Sequence, residues 1–292
     1  MEINEALEKF TVQLEANGRS QHTISQYRRH ISLFSHWMAT NAHSEDLSKI
    51  SHEDIAAFFS SNTAKRRPDG RPKKPTSVNA LRTSIRCFFE YLHESGIIAE
   101  DPTRLTRRAI CSPPPPHSLS DDEVQRLMEV LKESEGFEAR RDHVLFRTML
   151  GTGIRLGSAV ALNIENIDFE NGVLWIHETK GKRPEKVFIN TGDRLYIRNF
   201  IDARTHGPLF TNLDGRRLSQ RHVQRRFTQW LQKTGITRKA SCHSLRHSFA
   251  VRLYQRTHDL FLVQQALRHR SITSTVVYSR VDDKRLREAI EA

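Results

Sequence analysis

Residues 241–247 read SCHSLRH, residues 267–269 read LRH and residues 276–278 read VVY. These three runs contain a set of side chains whose chemistry indicates a function for the chain. His243 and Arg246 are three residues apart, so on a helix they share one face. A guanidinium offers a fork of N–H donors that matches phosphate oxygens, and an imidazole such as His269 exchanges a proton near neutral pH. Tyr278 can act as a covalent nucleophile, so the set suits the chemistry of a phosphodiester.

The composition favours a folded protein with a polyanionic partner. The chain has 292 residues, of which 37% are hydrophobic and 27% are charged, and this balance supplies apolar side chains for real cores. The formal net charge is +12, which makes nucleic acid the leading candidate for a partner. No run approaches the length of a membrane span, and the opening MEINE lacks the layout of a signal peptide. We therefore expect a cytoplasmic protein that does not enter a membrane.

Helical periodicity followed by a run of prolines predicts two domains. Apolar residues recur at helical spacing through the first hundred residues, which predicts an all-helical domain over residues 1–104. Thr23, Ser51 and Thr76 are the predicted starts of three of its helices. The four prolines at 113–116 favour a stiff, extended spacer, so we place an interdomain linker at 105–117. Residues 118–292 then form the second domain.

Local signals in the second domain predict helices around a small sheet. Ser120 and Glu123 have the spacing of a capping box, which predicts the start of a helix. The NG pair at 171–172 is a strong hairpin signal, and the apolar runs at 173–176 and 186–189 predict strands on either side of a basic turn. The predicted fold class is therefore mostly α, with a small antiparallel three-stranded sheet in the second domain.

Two basic surfaces are candidates for contact with DNA. The run KRRPDGRPKK at 65–74 lies between two predicted helices, and its prolines and glycine prevent a helix. A solvated loop is the alternative for any such run, but phosphate contact has equal weight in so basic a chain. A later predicted helix carries two arginines four residues apart, which share one face. The candidates are Lys65, Arg66, Arg67, Arg71, Lys73, Lys74, Arg221 and Arg225.

The motifs occur in an order and spacing that resembles the tyrosine recombinases, which form the phage integrase family. The matching positions are Thr152-Gly153-Ile154-Arg155, Lys180 in the predicted turn, His243, Arg246, Leu267-Arg268-His269 and Tyr278. The resemblance covers the whole chain, and the compact length is similar to that of bacterial Xer-type members. It implies that the first domain is a helical, SAM-like core-binding domain and that residues 118–292 form a mainly α catalytic domain.

The resemblance implies covalent chemistry at DNA. Tyr278 would attack a DNA phosphorus and leave a 3′-phosphotyrosine and a free 5′-hydroxyl. Arg155 and Arg246 would hold the non-bridging oxygens and offset the charge that develops in the transition state. Because the covalent bond stores the energy of the broken phosphodiester, the reaction would need no metal or other cofactor.

Three further residues would move or donate protons, as the resemblance implies. Lys180 would protonate the departing 5′-oxygen, His243 would exchange a proton with the tyrosine, and His269 would donate to the phosphate. The chain departs from the family at two positions. Ser158 stands where the family usually has an acid, and Arg268 stands where it usually has glycine. If the turn at Arg268 is left-handed, arginine carries a steric cost there that glycine lacks.

The function implied by the resemblance is site-specific recombination, in integration, excision or resolution. The partner would be double-stranded DNA, with two duplexes synapsed by a homotetramer. The C-terminal helix, predicted at 285–292, would be exchanged between protomers of that tetramer. An accessory protein that controls direction is a further partner to test for.

Three alternatives stay open at this point. A DNA-binding protein with the same fold would bind DNA without a covalent product, and the departures at Ser158 and Arg268 motivate it. An enzyme that resembles type IB topoisomerases would relax supercoils and need no partner duplex. Cys242, His243 and His247 form one candidate zinc set, although no glutamate lies between the histidines and no second ligand cluster is apparent. We instead interpret the cysteines as reduced thiols and His247 as a packed or supporting side chain.

Overall fold

The computed structural model describes residues 1–41, 46–111, 117–177, 184–269 and 271–281. The chain divides into two compact units, Met1–Ser112 and Pro113–Ala292. Three predicted features lie outside the described residues: the run of four prolines, Lys180 in its basic turn, and the final helix at 285–292.

The regular elements in the described part of the first unit are helices. Its helices are α1 (Ile3–Ala16), α2 (Gln21–Thr40), α3 (His52–Ser60), α4 (Asn62–Lys65) and α5 (Pro75–Glu94). Their apolar faces meet in one core that is rich in phenylalanine. The ring centroids of Phe34 and Phe58 lie 5.0 Å apart, and those of Phe10 and Phe88 lie 5.6 Å apart. The prediction of an all-helical first domain is confirmed.

Side-chain caps fix where α2, α3 and α4 begin. Ser51 and Asp54 form a reciprocal capping box, which confirms the predicted start of α3. The predicted start of α2 was wrong, because the hydroxyl of Ser20 accepts the backbone N–H of Thr23 and the helix begins between them. Helix α5 begins at Pro75, one residue before the predicted position, since proline at the first helical position loses no hydrogen bond.

The second unit is mostly helical and contains a small sheet. Its described helices are α6 (Asp121–Glu133), α7 (Phe137–Thr152), α8 (Leu156–Ala161), α9 (Thr191–Ile201), α10 (Gln220–Lys233), α11 (Cys242–Thr257) and α12 (Leu260–Leu267). The strands β1 (Ile167–Asp168), β2 (Val173–Ile176) and β3 (Glu185–Phe188) form an antiparallel sheet in the order β1-β2-β3. Asp168 pairs with Val173 across the NG turn. The predicted fold class is confirmed.

Helix α11 positions the signature residues of the second unit. It packs along α7, and its side chains Cys242 and Leu245 enter the main core of the unit. The predicted capping box of Ser120 and Glu123 starts α6. The short helical segment Val276–Val281 packs on α11 and adds Tyr278 to a smaller core. None of the helices in the described ranges is long and apolar enough to cross a membrane.

Candidate active site

Arg246 lies at the centre of the candidate site and connects three sequence motifs. It is 1% exposed, and its Nη1 and Nη2 donate to the backbone oxygens of Gly153 and Leu267, each at 2.5 Å. Gly153 belongs to the motif that ends at Arg155, and Leu267 belongs to the motif that ends at His269. A guanidinium has five N–H donors, so these two bonds leave three of them unengaged. Burial, with the neighbouring cations, lowers the pKa of Arg246 to about 10, which keeps it charged at neutral pH.

Gly153 provides the sharp turn that presents Arg155. Helix α7 ends at Thr152, and Gly153 follows in the left-handed conformation with φ of 65°. A Cβ added to Gly153 would lie 2.4 Å from Cδ1 of Phe249, so the turn has no room for a side chain. Arg155 then stands exposed at the N-cap of α8. Its charge lowers the pKa values of His243, Arg246 and His269, which shows that it faces the same cluster.

His269 follows a second sharp turn, at the end of α12. Arg268 is left-handed with φ of 54°, so the backbone does carry the steric cost anticipated for a residue other than glycine. Its Nε lies 3.1 Å from the carboxylate of Glu185 in β3, and this ion pair offsets part of the cost. The Nδ1 of His269 is 2.9 Å from the hydroxyl of Thr275. Burial, then Arg246 and other cations, lower the pKa of His269 to about 4, so the ring is neutral at pH 7.

The hydroxyl of Tyr278 is bonded to His247, which the sequence analysis had not placed in contact with it. The hydroxyl lies 2.8 Å from Nδ1 of His247, and Tyr278 is 2% exposed. Burial raises the pKa of Tyr278, and the charge of Arg246 opposes this effect. Burial, then His243 and Arg246, lower the pKa of His247 to about 4. The available signal in the sequence was the spacing of His243 and His247 at i, i+4, which we had considered only for zinc.

His243 completes the described cluster from the first turn of α11. It remains exposed, and its ring centroid lies 4.6 Å from that of His247. Exclusion of water by the surrounding protein, then the charges of Arg246 and Arg155, lower its pKa. The structure thus brings together Arg155, His243, Arg246, His269 and Tyr278. A fixed pair of cations beside neutral imidazoles and a phenol can bind an anion and attack it.

The candidate zinc set receives no support from this geometry. Cys242 is buried in the core, and burial raises the pKa of its thiol to about 12. A metal needs the thiolate, which is therefore disfavoured at neutral pH. The Nδ1 of His247 is already bonded to Tyr278. Cys242 and His247 are thus better explained as a core side chain and a partner of the tyrosine.

The basic run at 65–74 begins at the last residue of α4 and continues as a loop, in which several of the cations contact other residues of the same region. Arg66 donates to the backbone oxygen of Gly70 at 2.9 Å, Arg71 pairs with Asp69 at 2.6 Å, and Lys73 donates to the backbone oxygen of Thr63 at 2.7 Å. These contacts hold the shape of the loop. The exposed candidates outside these contacts are Lys65, Arg67 and Lys74 in the first unit, and Arg221 and Arg225 on α10.

A cleft within the first unit adds a cation that the sequence analysis missed. The cleft measures about 1080 Å³ and lies between α2 and the basic loop, with Arg29, Arg66, Arg67 and Lys73 in its lining. Arg29 is exposed on α2. A lone arginine in an amphipathic helix gives no signal of its own, so only the fold reveals that it faces the loop.

Two parts of the chain match known protein families. Residues 117–285 match the phage integrase family, and residues 7–96 match the N-terminal SAM-like domain of phage integrases. The chain belongs to the phage integrase family.

Its relatives include tyrosine recombinases of the Xer type. The chain is 30% identical to tyrosine recombinase XerC of Neisseria meningitidis serogroup C (strain FAM18) over 276 residues, which cover 91% of this chain and 87% of that protein. It is also 30% identical to tyrosine recombinase XerA of Pyrococcus furiosus over 293 residues, covering 99% and 93%.

Solved structures show the same fold. The XerH site-specific recombinase bound to a palindromic difH substrate, in a post-cleavage complex, superposes with a TM-score of 0.75 at 23% identity, covering 97% of this chain and 83% of that one. A lambda integrase dimer bound to a COC′ core site gives a TM-score of 0.73 at 20% identity, covering 95% of each chain. At these identities the likeness establishes the fold.

Proposed function

We propose that this protein is a site-specific recombinase that cleaves and rejoins double-stranded DNA through a 3′-phosphotyrosine intermediate. The observation that carries the proposal is the buried guanidinium of Arg246, which binds the backbone at Gly153 and Leu267. These two bonds hold the motif of Arg155 and the motif of His269 at one helix, beside Tyr278. Relatives named as tyrosine recombinases, and neighbours solved with DNA, support this assignment.

The chemistry is the displacement of a 5′-oxygen by a phenol. The oxygen of Tyr278 forms a bond to phosphorus and gives its proton to His243, while the bond from phosphorus to the 5′-oxygen breaks. Lys180 supplies a proton to that oxygen, and Arg155 and Arg246 neutralise the charge on the non-bridging oxygens. Removing one such donor costs about 10²–10³ in rate. The 5′-hydroxyl of a partner strand then reverses the reaction and releases the tyrosine.

The two histidines that flank this chemistry have distinct proposed tasks. His269 donates to the phosphate through the ring nitrogen that faces away from Thr275. His243 exchanges a proton with Tyr278, and its ring is exposed to solvent. Both rings are neutral at pH 7, so each has one N–H to donate and one nitrogen to accept.

The two domains have different proposed roles, core binding and catalysis. Residues 1–104 form the core-binding domain, 105–117 the linker and 118–292 the catalytic domain, and the family matches at 7–96 and 117–285 support this assignment. Lys65, Arg67 and Lys74 contact phosphates from the basic loop. Arg221 and Arg225 contact phosphates from α10, where they are exposed.

The active assembly is a homotetramer on two synapsed duplexes, with the C-terminal helix at 285–292 exchanged between protomers, in the cytoplasm. The resemblance to the tyrosine recombinases implies this assembly, and an accessory protein that sets direction fits the same scheme. Mass photometry of the full chain with one and with two copies of its recovered DNA site tests the assembly. Four protomers on two duplexes are expected, and dimers alone at saturating DNA would contradict it.

Covalent trapping in EDTA tests the reaction itself. Wild type and Tyr278→Phe are incubated with nicked duplexes drawn from a library that includes DNA flanking the gene, and denaturing gels report protein that stays on DNA. Tyr254→Phe is the matched control, because Tyr254 lies on α11 in the same unit. An adduct with wild type and control, but not with Tyr278→Phe, is expected, and sequencing it gives the site.

Other outcomes separate the alternatives. An adduct with Tyr278→Phe would place the nucleophile elsewhere. Tight binding across the library without an adduct would favour a non-catalytic DNA-binding protein. Relaxation of supercoiled plasmid that needs neither a specific site nor a second duplex would favour chemistry of the type IB topoisomerase kind.

A further inference from the structure

A hydrogen bond joins the side chains of His247 and Tyr278. The two atoms lie 2.8 Å apart, and the pKa of His247 is about 4 while that of Tyr278 is raised. At neutral pH the imidazole is therefore uncharged and the phenol is protonated. In the tautomer that carries its proton on Nε2, Nδ1 is the accepting nitrogen and the hydroxyl of Tyr278 donates to it.

Both partners of this bond are held by independent contacts. His247 directly follows Arg246 on α11, and the bonds from Arg246 to two backbone oxygens fix that turn of the helix. The backbone N–H of Tyr278 donates to the oxygen of Thr275 at 3.0 Å, and the hydroxyl of Thr275 contacts His269 at 2.9 Å. The backbone of Tyr278 is therefore held at Thr275, which contacts His269, and its hydroxyl is held by His247.

The hydrogen bond also orients the hydroxyl of Tyr278, which packing of the ring alone leaves free to rotate. The ring of Tyr278 packs in a small core with Ala250, Val263 and Leu267, which confines the ring but cannot direct a hydroxyl. A buried hydroxyl without a partner is unfavourable, so it orients toward the available acceptor. The acceptor in contact with it is Nδ1 of His247.

From this geometry we propose that His247 is a positioning residue for Tyr278, holding the phenol protonated and aimed while it waits for a phosphate. The inference rests on the proposed role of Tyr278 as the nucleophile. It assigns a task to His247 that the sequence analysis gave in part to His243. His247 acts through the tyrosine and need not touch DNA.

Substitutions that move the accepting atom test this idea. The Oδ1 of asparagine occupies nearly the position of Nδ1, whereas the amide of glutamine reaches the position of Nε2. His247→Asn therefore keeps the acceptor, and His247→Gln and His247→Ala displace or remove it. His206→Asn is the matched control, because His206 is an exposed histidine of the same unit.

The first measurement needs no DNA. Acetylation of tyrosine hydroxyls by N-acetylimidazole, mapped by mass spectrometry, reports how often Tyr278 leaves its site. Loss of one hydrogen bond should raise the acetylation rate of Tyr278 about two- to tenfold in His247→Ala. His247→Asn and His206→Asn should match wild type, and Tyr254 in each variant serves as the internal reference.

The second measurement is the single-turnover rate of adduct formation on the DNA recovered by trapping. His247→Asn should stay close to wild type, while His247→Gln and His247→Ala should fall about 10- to 100-fold, as expected for a displaced reacting group. Equal rates in all variants, or an asparagine variant as slow as the alanine variant, would overturn the inference. If wild type itself forms no adduct, the proposed function fails, and the acetylation result still decides whether His247 holds Tyr278.

Discussion

Replacing Arg246 with lysine tests whether one guanidinium assembles the candidate site. Its two nitrogens donate to Gly153 and Leu267, which belong to different motifs. Lysine keeps the charge, but a single ammonium on a flexible stem cannot reproduce the planar fork. We therefore expect Arg246→Lys to keep one of the two bonds and to lose the other.

The magnitude follows from that lost bond. A hydrogen bond to a charged group contributes about 1.5–3 kcal/mol to the free energy of unfolding. In a unit of this size, 1 kcal/mol corresponds to about 2–4 °C in Tm, so Tm should fall by about 3–12 °C. Because the two motifs are then no longer held together, adduct formation should fall by about 10²–10³, comparable to the loss of one transition-state donor.

The assay pairs differential scanning calorimetry with the rate of covalent adduct formation. Arg252→Lys is the matched control, since Arg252 lies on the same helix, is 35% exposed and pairs with Asp121 at 2.7 Å. Such exposed pairs contribute about 0–1 kcal/mol, so its Tm should move by less than about 4 °C and its rate should not change. An Arg246→Lys protein that melts and reacts like the control would refute the bridging argument. A lowered Tm with an unchanged rate of adduct formation would refute the argument that these two bonds of Arg246 are needed for catalysis.

Three further predictions follow from other parts of the molecule. Gly153→Ala should lower Tm more than Gly215→Ala, because both are left-handed but only at Gly153 would the new Cβ meet Phe249; equal Tm values would contradict this. The logarithm of DNA affinity should fall against log salt with a slope of about −0.9 per phosphate neutralised, and a flat slope in titrations would exclude the basic surfaces as DNA contacts. The free energy of unfolding should fall as the pH drops from 6.5, the usual pKa of histidine, toward about 4. In that range the unfolded chain binds protons on His247 and His269, whereas the folded protein, in which their pKa values are about 4, does not. Calorimetry across that range checks it, and a Tm that rises on acidification would reverse the sign.

Local sequence signals predicted the fold well where a single short-range interaction decides the structure. The capping boxes at Ser51 and Ser120 and the NG turn were each confirmed, since their partners lie within a few residues. The start of α2 was missed because Ser20 and Thr23 are both good caps and their side chains contact each other at 2.7 Å. Choosing between them depends on where the chain enters the core, which the local pattern does not encode.

The candidate site was predictable as a set of residues but not as a set of contacts. Its members were found through their resemblance to family motifs. The bond from His247 to Tyr278 spans 31 positions, and those from Arg246 span 93 and 21, so no spacing rule could anticipate them. The ion pair of Arg268 and Glu185 likewise appears only once the turn after α12 meets β3.

The electrostatics of the free site predict what DNA should change. Burial, and then the charges of Arg246 and Arg155, disfavour a charge on His269 and lower its pKa to about 4. A phosphate bound between them would offset their charge, so the pKa of His269 should rise in the complex. A group whose pKa rises on binding takes up a proton, so affinity should increase as pH falls through the bound-state value. Titrations of Tyr278→Phe, which cannot form the adduct, should show this increase, and adding His269→Gln should flatten it; identical pH profiles for the two proteins would mean that the phosphate does not reach His269.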